Sequence, residues 1–363
     1  MMRVTTGGTL RTYRGNLAKS TFNQFQAMNT VLTRRRFNTF ADDPALATQS
    51  YRIHASYARN QTQQETSDSI IKKFEAAHSS LDALSSQYRV ALNQAETAQN
   101  DPSGGALTAL GRTLSSTADS MVKTLNAKYG DKFIFAGADG ANVPFELKDG
   151  ELYFRGEKVD YSAKDLEGQI NPDTGAPYTQ PEIEAWVKQR DEVFKAMSDE
   201  ATYVDIGLGL TLDENENVIP STAFNSAISG IGLLGYGVDD QGRPNNMISI
   251  IAKLGAIYQQ AGEDGSLPKA LEDEAEGLFG KMQSSFTEFN TNWSELETRA
   301  ELLKSNDTRL SDTGYTLYEQ FEATDQVDLA DALTTFAYAQ YSYNAALRVG
   351  NSILSQSFLD YMK

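Results

Sequence analysis

The stretch IIKKFEAAHSSLDALSSQYRVALNQAETA, residues 70–98, decides the fold. Its apolar residues recur at alternating spacings of four and three, which places them on one stripe of a helix and is typical of a coiled-coil seam. The seam positions are Ile70, Phe74, Ala77, Leu81, Leu84, Tyr88, Ala91, Ala95 and Ala98. Continued backward, the same spacing meets Ile53, Tyr57, Asn60, Gln64 and Ser67, so the predicted seam begins polar and becomes apolar.

Local signals mark the ends of this helix. Asp43 is a good N-cap residue and Pro44 suits the first turn, so the helix is predicted to begin just after a cluster of arginines. The stretch DPSGG at 101–105 contains the residues that end it. A further helix follows, with Leu107, Leu110, Leu114, Met121 and Leu125 on one side.

A second seam of the same period lies near the other end of the chain. Its positions are Phe279, Met282, Phe286, Phe289, Trp293, Leu296, Ala300, Leu303, Asp307, Leu310, Gly314, Leu317, Phe321 and Thr324. Because the periods match, the two ends of the chain are predicted to pair with each other. After Thr324 the phase slips, which predicts a discontinuity or a new helix from Asp325 or Asp328. The new stripe contains Leu329, Leu333, Phe336, Tyr343, Leu347 and Leu354 and extends as far as Tyr361.

Between the seams the pattern changes to short apolar runs separated by turn signals. Runs such as KFIFAG, ELYFRG and TYVDIGLGLTL alternate with KDG, DENEN and NPDTGAP, which predicts β hairpins, with one helix near Pro181 to Ser198. The predicted fold class is therefore α+β. A long antiparallel coiled-coil rod is built from the N- and C-terminal segments, and residues 131–275 form an inserted, mostly β outer domain.

Composition excludes several classes of protein. The formal net charge is −17, which argues against wholesale binding of nucleic acid or anionic membranes. The first 40 residues are an exception, since they contain seven Lys or Arg and no Asp or Glu. There is no cysteine, so disulfides, thiolate metal sites and a cysteine nucleophile are excluded. No stretch is apolar for the ~18 residues that a membrane span needs, and the first 20 residues lack the pattern of a signal peptide.

Three motifs could carry chemistry, and each has a structural interpretation that the sequence favours. Only His54 and His78 could act as imidazole bases, and neither lies near a nucleophile pattern. The GxGxxG spacing of a dinucleotide loop occurs at Gly230, Gly232 and Gly235, without a suitable flanking strand or acidic residue. Asp213, Asn215 and Asn217 have the spacing of the first three ligands of a calcium-binding loop. The glycine and the final glutamate of such a loop are absent, which favours a hairpin turn. No cofactor, metal site or enzyme class is predicted.

Charges of opposite sign are concentrated near the two ends of the chain. The acidic residues are Glu319, Glu322, Asp325, Asp328 and Asp331, and the basic ones are Arg11, Arg14, Lys19, Arg34, Arg35 and Arg36. They are either solvated surfaces or complementary faces that meet, within one molecule or between neighbours. Because exposed pairs contribute only ~0.2 to 1 kcal/mol each, complementary faces would set register and partner rather than stability.

The apolar stripes of the terminal segments are too narrow to make these helices stable alone. Ordering one heptad costs on the order of 10 kcal/mol, whereas burying its two seam side chains returns ~1.5 to 3 kcal/mol each. We therefore expect the first 40 residues to fold fully only inside an assembly. Their apolar residues include Leu10, Leu17, Phe22, Phe25, Met28, Val31 and Leu32.

Four stretches resemble the bacterial flagellin superfamily and, within it, the hook-filament junction proteins known as hook-associated protein 3. They are MRVT at 2–5, RRRFNTFADDPALA at 34–47, FIFAGADGANVPF at 133–145 and the C-terminal segment VDLADALTTFAYAQYSYNAALRVGNSILSQSFLDYMK at 327–363. One departure is that the family commonly has a small residue and a glycine before the basic position of the second stretch. This chain has Thr33-Arg34-Arg35 there.

The resemblance implies a non-enzymatic, extracellular subunit of the bacterial flagellum that joins hook to filament by axial packing of its terminal helices. It also implies type III export without a cleaved signal peptide and a chaperone on the C-terminal helix. The implied partners are copies of the chain, a neighbouring hook-associated protein and flagellin.

The resemblance divides the chain into three layers. The inner tube would comprise residues 1–40 and 325–363, the rod residues 41–130 and 276–324, and the outer domain residues 131–275. The joint between tube and rod would comprise Arg34, Arg35, Arg36, Asp42, Asp43 and Pro44. Assembly contacts would come from Leu10, Leu17, Met28, Val31, Leu333, Phe336, Tyr343, Leu347, Leu354 and Tyr361.

Three alternatives stay open. The nearest is a filament flagellin. The second is a secreted glycan-binding or hydrolytic module on the β insert, and the third is an intracellular coiled-coil adaptor, which would form a stable helical oligomer in dilute solution. For the junction protein we expect a mainly monomeric chain with protease-sensitive ends.

Overall fold

A computed structural model of the chain describes residues 6–37, 39–100, 104–262 and 266–361. The helices are α1 (Thr6–Thr33), α2 (Pro44–Asn100), α3 (Gly104–Leu125), α4 (Gln180–Ser198), α5 (Gly230–Leu234), α6 (Met247–Tyr258), α7 (Lys269–Asp325) and α8 (Leu329–Tyr361). The strands are β1 (Lys128–Tyr129), β2 (Lys132–Phe133), β3 (Phe145–Lys148), β4 (Glu151–Phe154), β5 (Glu157–Lys158), β6 (Tyr203–Val204) and β7 (Phe224–Asn225). Two compact units result: a terminal unit of residues 1–62 and 309–363, and a central unit of residues 63–308.

In the terminal unit, α1 and α8 pack against each other in antiparallel directions. The phenol of Tyr13, near the start of α1, lies against Gly350, near the end of α8, so closely that a Cβ at Gly350 would collide with the ring. At the opposite end of the pair, Arg35 and Gln326 form an antiparallel bridge. The contact buries Ala27 on α1 and Ala332 on α8. Small residues therefore allow close approach of the two helices.

The terminal unit also contains the first part of α2 and the last part of α7, which pair through mixed polar and aromatic contacts. The Asn60 side-chain amide donates to the carbonyl of Leu310 at 3.1 Å, and both residues are buried. The rings of His54 and Phe321 meet edge to face, with 4.2 Å between their centroids. The predicted polar beginning of the seam is thus a real contact, and Asn60 is one of its buried members.

In the central unit, the apolar seam of α2 is buried along its whole predicted length, from Ile70 to Ala98. Tyr88 shows how α7 meets it: the phenol donates to the carbonyl of Met282 at 3.0 Å, and the ring stacks on Phe286 with 5.3 Å between centroids. The α7 side supplies a matching set of buried residues, namely Leu278, Met282, Phe289, Leu296 and Leu303, with Phe286 and Trp293 partly buried beside them. The two long helices pair as the sequence predicts.

The insert contains more helix than its sequence pattern predicts. The helix expected near Pro181 to Ser198 is present as α4, where Thr179 and Glu182 form a capping box. Helix α6 is nearly buried on all sides and packs tightly against α3, because glycines at the crossing allow the backbones to meet. A Cβ at Gly111 would lie 2.6 Å from the carbonyl oxygen of Gly255.

The strands of the insert are short and antiparallel. β3, β4 and β5 form a sheet in that order, with Phe145 opposite Phe154, and β6 pairs with β7. The run TYVDIGLGLTL, predicted as β, pairs as a strand only at Tyr203–Val204. Gly207 and Gly209 have positive φ values of 81° and 83°, which end the strand at that point.

None of the described helices combines the length and hydropathy that crossing a membrane would need.

Candidate functional site

The linker after α1 pairs with the linker after α7, and we call this region the joint. The Arg36 N–H donates to the carbonyl of Asp325 at 2.7 Å, and the Val327 N–H donates to the carbonyl of Arg34 at 3.1 Å. Arg35 lies between these bonds. The bonds hold the end of α1 beside the end of α7, although almost 300 residues separate the two segments.

A buried carboxylate lies at the centre of the joint. The Asp325 side chain is only 7% exposed and lies 3.5 Å from Nε of Arg35. It also accepts a hydrogen bond from the Ser50 hydroxyl at 3.3 Å. Asp325 therefore connects α7 to the linker and to α2, and its burial makes each partner important, because a buried charge without partners is costly.

Sequence reasoning missed Asp325 and Ser50 as members of the joint. In the sequence, Asp325 stands out only as part of the acidic run and as a possible helix boundary. The signal that could have found it is its position at the phase slip, where an acidic residue faces the arginines once the seams are paired.

Arg34 ends α1 in a left-handed conformation. Its φ is 57°, and its N–H donates to the carbonyl of Thr30 at 2.8 Å. Glycine usually occupies such a position, and another residue costs about 1 to 2 kcal/mol there. Arg34 is also the position where the resembling family commonly has glycine, so the sequence departure coincides with a strained turn.

The acidic end of the linker fixes the start of α2. The Asp43 carboxylate accepts from the N–H groups of Ala45 at 3.1 Å and Leu46 at 3.0 Å, as an N-cap does. The Asp42 carboxylate accepts from the N–H of Thr39 at 2.8 Å and so closes the preceding turn. Pro44 occupies the first helical position. The charge reversal of the sequence thus separates one helix end from the next helix start.

The predicted assembly residues fall into two sets in the structure. One set is half-buried between α1 and α8: Leu10, Leu17, Met28, Val31, Phe336 and Tyr343. The other set is exposed: Leu333 and Leu347. The side chains of Leu354 and Tyr361 lie outside the described residues.

Other large apolar side chains on these helices are also exposed to solvent. Phe22 is 64% exposed on α1, and Tyr338 and Tyr341 are 71% and 76% exposed on α8, with Phe25 and Leu32 similarly placed. Exposed apolar residues in such number on one helix pair indicate a surface that another molecule covers.

The acidic run has several separate uses. Asp325 pairs with Arg35, and the Asp328 carboxylate accepts from the N–H of Ala330 at 2.7 Å and so caps α8. Of the two predicted start points for the last helix, Asp328 is therefore the one that caps it. The Tyr318 phenol donates to the Glu322 carboxylate at 3.2 Å.

The central unit has a groove of about 340 Å³ between α2 and α7. Phe74, Trp293 and Leu296 line its apolar part, and His78 lies at its edge, with Nδ1 3.2 Å from the carboxylate of Glu297. His78 also contacts the Trp293 ring, and His54 contacts Phe321. Both histidines thus have packing partners along the rod.

The glycine motif and the acidic loop have structural explanations. A Cβ at Gly230 would lie 2.7 Å from the Phe145 ring, so this glycine allows α5 to pack. The Asp213 carboxylate accepts from the N–H groups of Asn215 and Asn217, both at 2.8 Å, which is the geometry of a turn. Among the residues that the structure describes, no His, Asp and Glu side chains form a cluster suited to a metal ion.

Two buried ionisable groups have strongly displaced pKa values. Burial raises the pKa of Asp160 to about 7, and its Oδ1 has no hydrogen-bond partner. Burial, followed by repulsion from Arg299 and Lys132, lowers the pKa of Lys73 to about 8. The Lys73 ammonium donates to the carbonyl of Ser226 at 2.8 Å, so it attaches the insert to α2.

Comparison with solved structures relates the fold to known proteins. No family model matches the sequence, and no curated protein matches it. A protein described as a flagellar hook-associated protein from Vibrio parahaemolyticus matches with a TM-score of 0.54 and 12% sequence identity. The match covers 78% of this chain and 100% of that chain. This chain has the fold of that hook-associated protein.

Two further structures are similar at lower scores. FlgL from Bacillus cereus matches with a TM-score of 0.44 and 14% identity, over 75% of this chain and 99% of that chain. FlgL from Xanthomonas campestris, in space group H3, matches with a TM-score of 0.36 and 12% identity, over 74% and 99%. On the hook-associated fold, the resembling stretches 34–47 and 327–363 fall at the joint and along α8.

Proposed function

We propose that this protein is a non-enzymatic structural subunit of the bacterial flagellum that joins hook to filament through axial packing of its terminal helices. The observation that carries the proposal is the terminal helix pair. α1 and α8 bury one face against each other and leave Phe22, Phe25, Tyr338 and Tyr341 exposed. Such a pair has the form of a subunit whose apolar surface is completed by neighbours.

The similarity of the fold to a hook-associated protein supports this function independently of the exposed surface. The resemblance of residues 34–47 and 327–363 to the junction proteins supports the more specific role. In this proposal residues 1–40 and 325–363 form the inner tube, residues 41–130 with 276–324 form the rod, and residues 131–275 form the outer domain.

Each group of residues then has a role in the proposed subunit. The six joint residues, together with Asp325 and Ser50, set the connection between tube and rod. The seam from Ile70 to Tyr88 on α2 and from Phe286 to Phe321 on α7 keeps the rod stiff. The partners are copies of the chain, a neighbouring hook-associated protein and flagellin, with an export chaperone on the C-terminal helix. The protein acts outside the cell, after export without a cleaved signal peptide.

Deletion of the gene in its own bacterium tests the function. The junction role predicts cells that build hooks, lack attached filaments and release filament subunits into the medium, with recovery on re-expression of the chain. Hooks that keep their junction proteins while filament subunits are missing would indicate a filament flagellin instead. Normal filaments in the deletion strain would refute both roles.

A control comes from the purified chain. Limited proteolysis of a dilute sample should first remove the first 40 and the last 35 residues, because their apolar faces lack partners. Rapid digestion confined to the rod would contradict the proposed dependence on assembly.

A further inference from the structure

An exposed aromatic surface lies on α2 and α7 in the terminal unit, near the joint. The rings of Tyr57 and Tyr318 contact each other with 6.3 Å between centroids, and Tyr318 contacts Phe321. Tyr315, one helical turn before Tyr318, is 66% exposed, and Tyr51 on α2 is exposed as well. We call the surface formed by Tyr51, Tyr57, Tyr315, Tyr318, Glu319 and Glu322 the tyrosine–glutamate face.

The two glutamates give this face a negative charge. The Tyr318 phenol donates to Glu322, and a hydrogen bond to Glu319 raises the pKa of Tyr315. Both carboxylates are exposed. The face therefore offers aromatic rings beside hydrogen-bonded carboxylates, a combination that suits basic and aromatic side chains.

A complementary surface lies on the solvent side of α1. Arg11, Arg14, Ala18, Lys19, Phe22 and Phe25 are all exposed there, and we call this set the basic outer stripe. It is distinct from the stripe of Leu10, Leu17 and Met28 that packs on α8. Within the part of the chain that the structure describes, Arg11, Arg14 and Lys19 make no ion pair, and the first 40 residues contain no acid that could neutralise them.

The arginines of the basic outer stripe cannot reach the glutamates of the tyrosine–glutamate face within one copy. Arg11 lies 22 residues before the end of α1, or about 33 Å along the helix, whereas Glu319 lies six residues before the end of α7, or about 9 Å. Both helix ends are held at the joint. Whatever the angle between the helices, the difference of about 24 Å exceeds the combined reach of an arginine and a glutamate side chain.

We propose that the basic outer stripe of α1 in one copy docks on the tyrosine–glutamate face of α2 and α7 in a second copy. The inference deepens the proposed function, because it identifies two surfaces through which axial subunits would connect. Since each copy carries both surfaces and the surfaces differ, the contact is heterologous. Heterologous contacts extend into open helical assemblies unless the rotation closes them into a ring.

Single-cysteine variants of the full chain test the contact, since the natural sequence has no cysteine. Ala18→Cys lies one turn before Phe22 on the stripe, and Ser311→Cys lies two turns before Tyr318 on α7. Both changes leave every aromatic and charged residue in place. The two variants are mixed at high protein concentration and treated with a short bifunctional maleimide. We expect mixed dimers at least about 5-fold in excess of homodimers of either variant, at low salt.

Gln320→Cys is the matched control for Ser311→Cys. Gln320 is exposed on the same helix but rotated about 160° from Tyr318 and about 100° from Glu319, so it should crosslink to Ala18→Cys no better than background. Equal yields from Ser311→Cys and Gln320→Cys, or no mixed dimer, would overturn the docking proposal.

Charge reversal tests the chemistry of the contact. Glu319→Lys with Glu322→Lys in the Ser311→Cys chain should lower the mixed-dimer yield at least about 5-fold, and Arg11→Glu with Arg14→Glu in the partner chain should restore it. A mixed-dimer yield that falls without being restored, or that does not fall, counts against complementary pairing. Because these measurements use purified protein, they can fail while the deletion strain still loses its filaments, which separates this proposal from the proposed function.

Discussion

Asp160→Asn should stabilise the protein at neutral pH, because the buried Asp160 carboxyl resists ionisation and an amide does not ionise. The Asp160 side chain lies in the central unit beside the buried Ser249, and its Oδ1 has no hydrogen-bond partner. Burial, opposed only in part by the Ser249 hydroxyl and by the charges of Lys158 and Lys253, raises its pKa from 3.8 to about 7. The folded protein therefore keeps a proton that the unfolded chain releases at lower pH.

The direction of the pH effect follows from this difference. Below about pH 3, Asp160 is protonated in both states and has no effect on the free energy of unfolding. As the pH rises toward 7, the unfolded chain ionises freely while the folded protein resists, so stability falls. A pKa separation from 3.8 to about 7 corresponds to an upper limit of about 4 kcal/mol. Asparagine does not ionise and avoids this loss.

Urea unfolding at about pH 5 and about pH 8 measures the effect. The advantage of Asp160→Asn over the natural chain should grow by about 2 to 3 kcal/mol between these conditions. Trp186 reports the local transition, because its ring lies 6.3 Å from that of Tyr161, and Trp293→Phe removes the second of the two tryptophans. An advantage that does not change with pH, or a less stable variant at about pH 8, would refute the reasoning.

Asp239→Asn is the matched control. Burial acts against its charge, but hydrogen bonds from the Arg243 N–H and from Lys281 lower the pKa of Asp239 below 3.8. Its stabilising contribution is therefore complete above that pH and is lost only in stronger acid. The control should be destabilised by the same amount at about pH 5 and about pH 8.

Three further substitutions test other parts of the structure. Arg34→Gly should raise the free energy of unfolding of the terminal unit by up to about 1 kcal/mol, because glycine adopts a φ of 57° without strain; a lower melting temperature would contradict this. Gly111→Val should cost roughly 1 to 3 kcal/mol, because even a Cβ there would lie 2.6 Å from the Gly255 carbonyl, and an unchanged urea midpoint would exclude that crossing. Tyr88→Phe should cost about 1 kcal/mol through the lost hydrogen bonds of the phenol with Met282 and Ser285, and full stability would show those bonds to be neutral.

The seams could be predicted from sequence because their signal is local and repeated. The 4-3 spacing from Ile70 to Ala98 identifies a buried stripe whatever the partner is, and the structure buries every one of those positions. The helix starts at Pro44 and Leu329 follow from the caps Asp43 and Asp328 for the same reason. Such signals need only a few neighbouring residues.

The joint and the insert depend on contacts that local patterns do not contain. Asp325 and Ser50 meet only after α2 and α7 have paired, so no motif connects them. On α8 the period predicts one apolar stripe, whereas Phe336 is half-buried and Leu333 is exposed. The stripe is wider than the strip of surface that one neighbouring helix covers. In the insert, Gly207 interrupts a run that is β by composition.

The irregular positions of the seams explain how the joint obtains its geometry. Gly314 interrupts the α7 seam, and its missing side chain leaves room for Asn60, whose Oδ1 would lie 2.7 Å from a Cβ at that position. A buried asparagine at a seam position lowers stability but specifies register. Register matters here, because a slip of one heptad would move α7 by about 10 Å and carry Asp325 away from Ser50. The polar part of the seam thus has less apolar contact than the rest, and it specifies the single register of α2 and α7 that the joint requires.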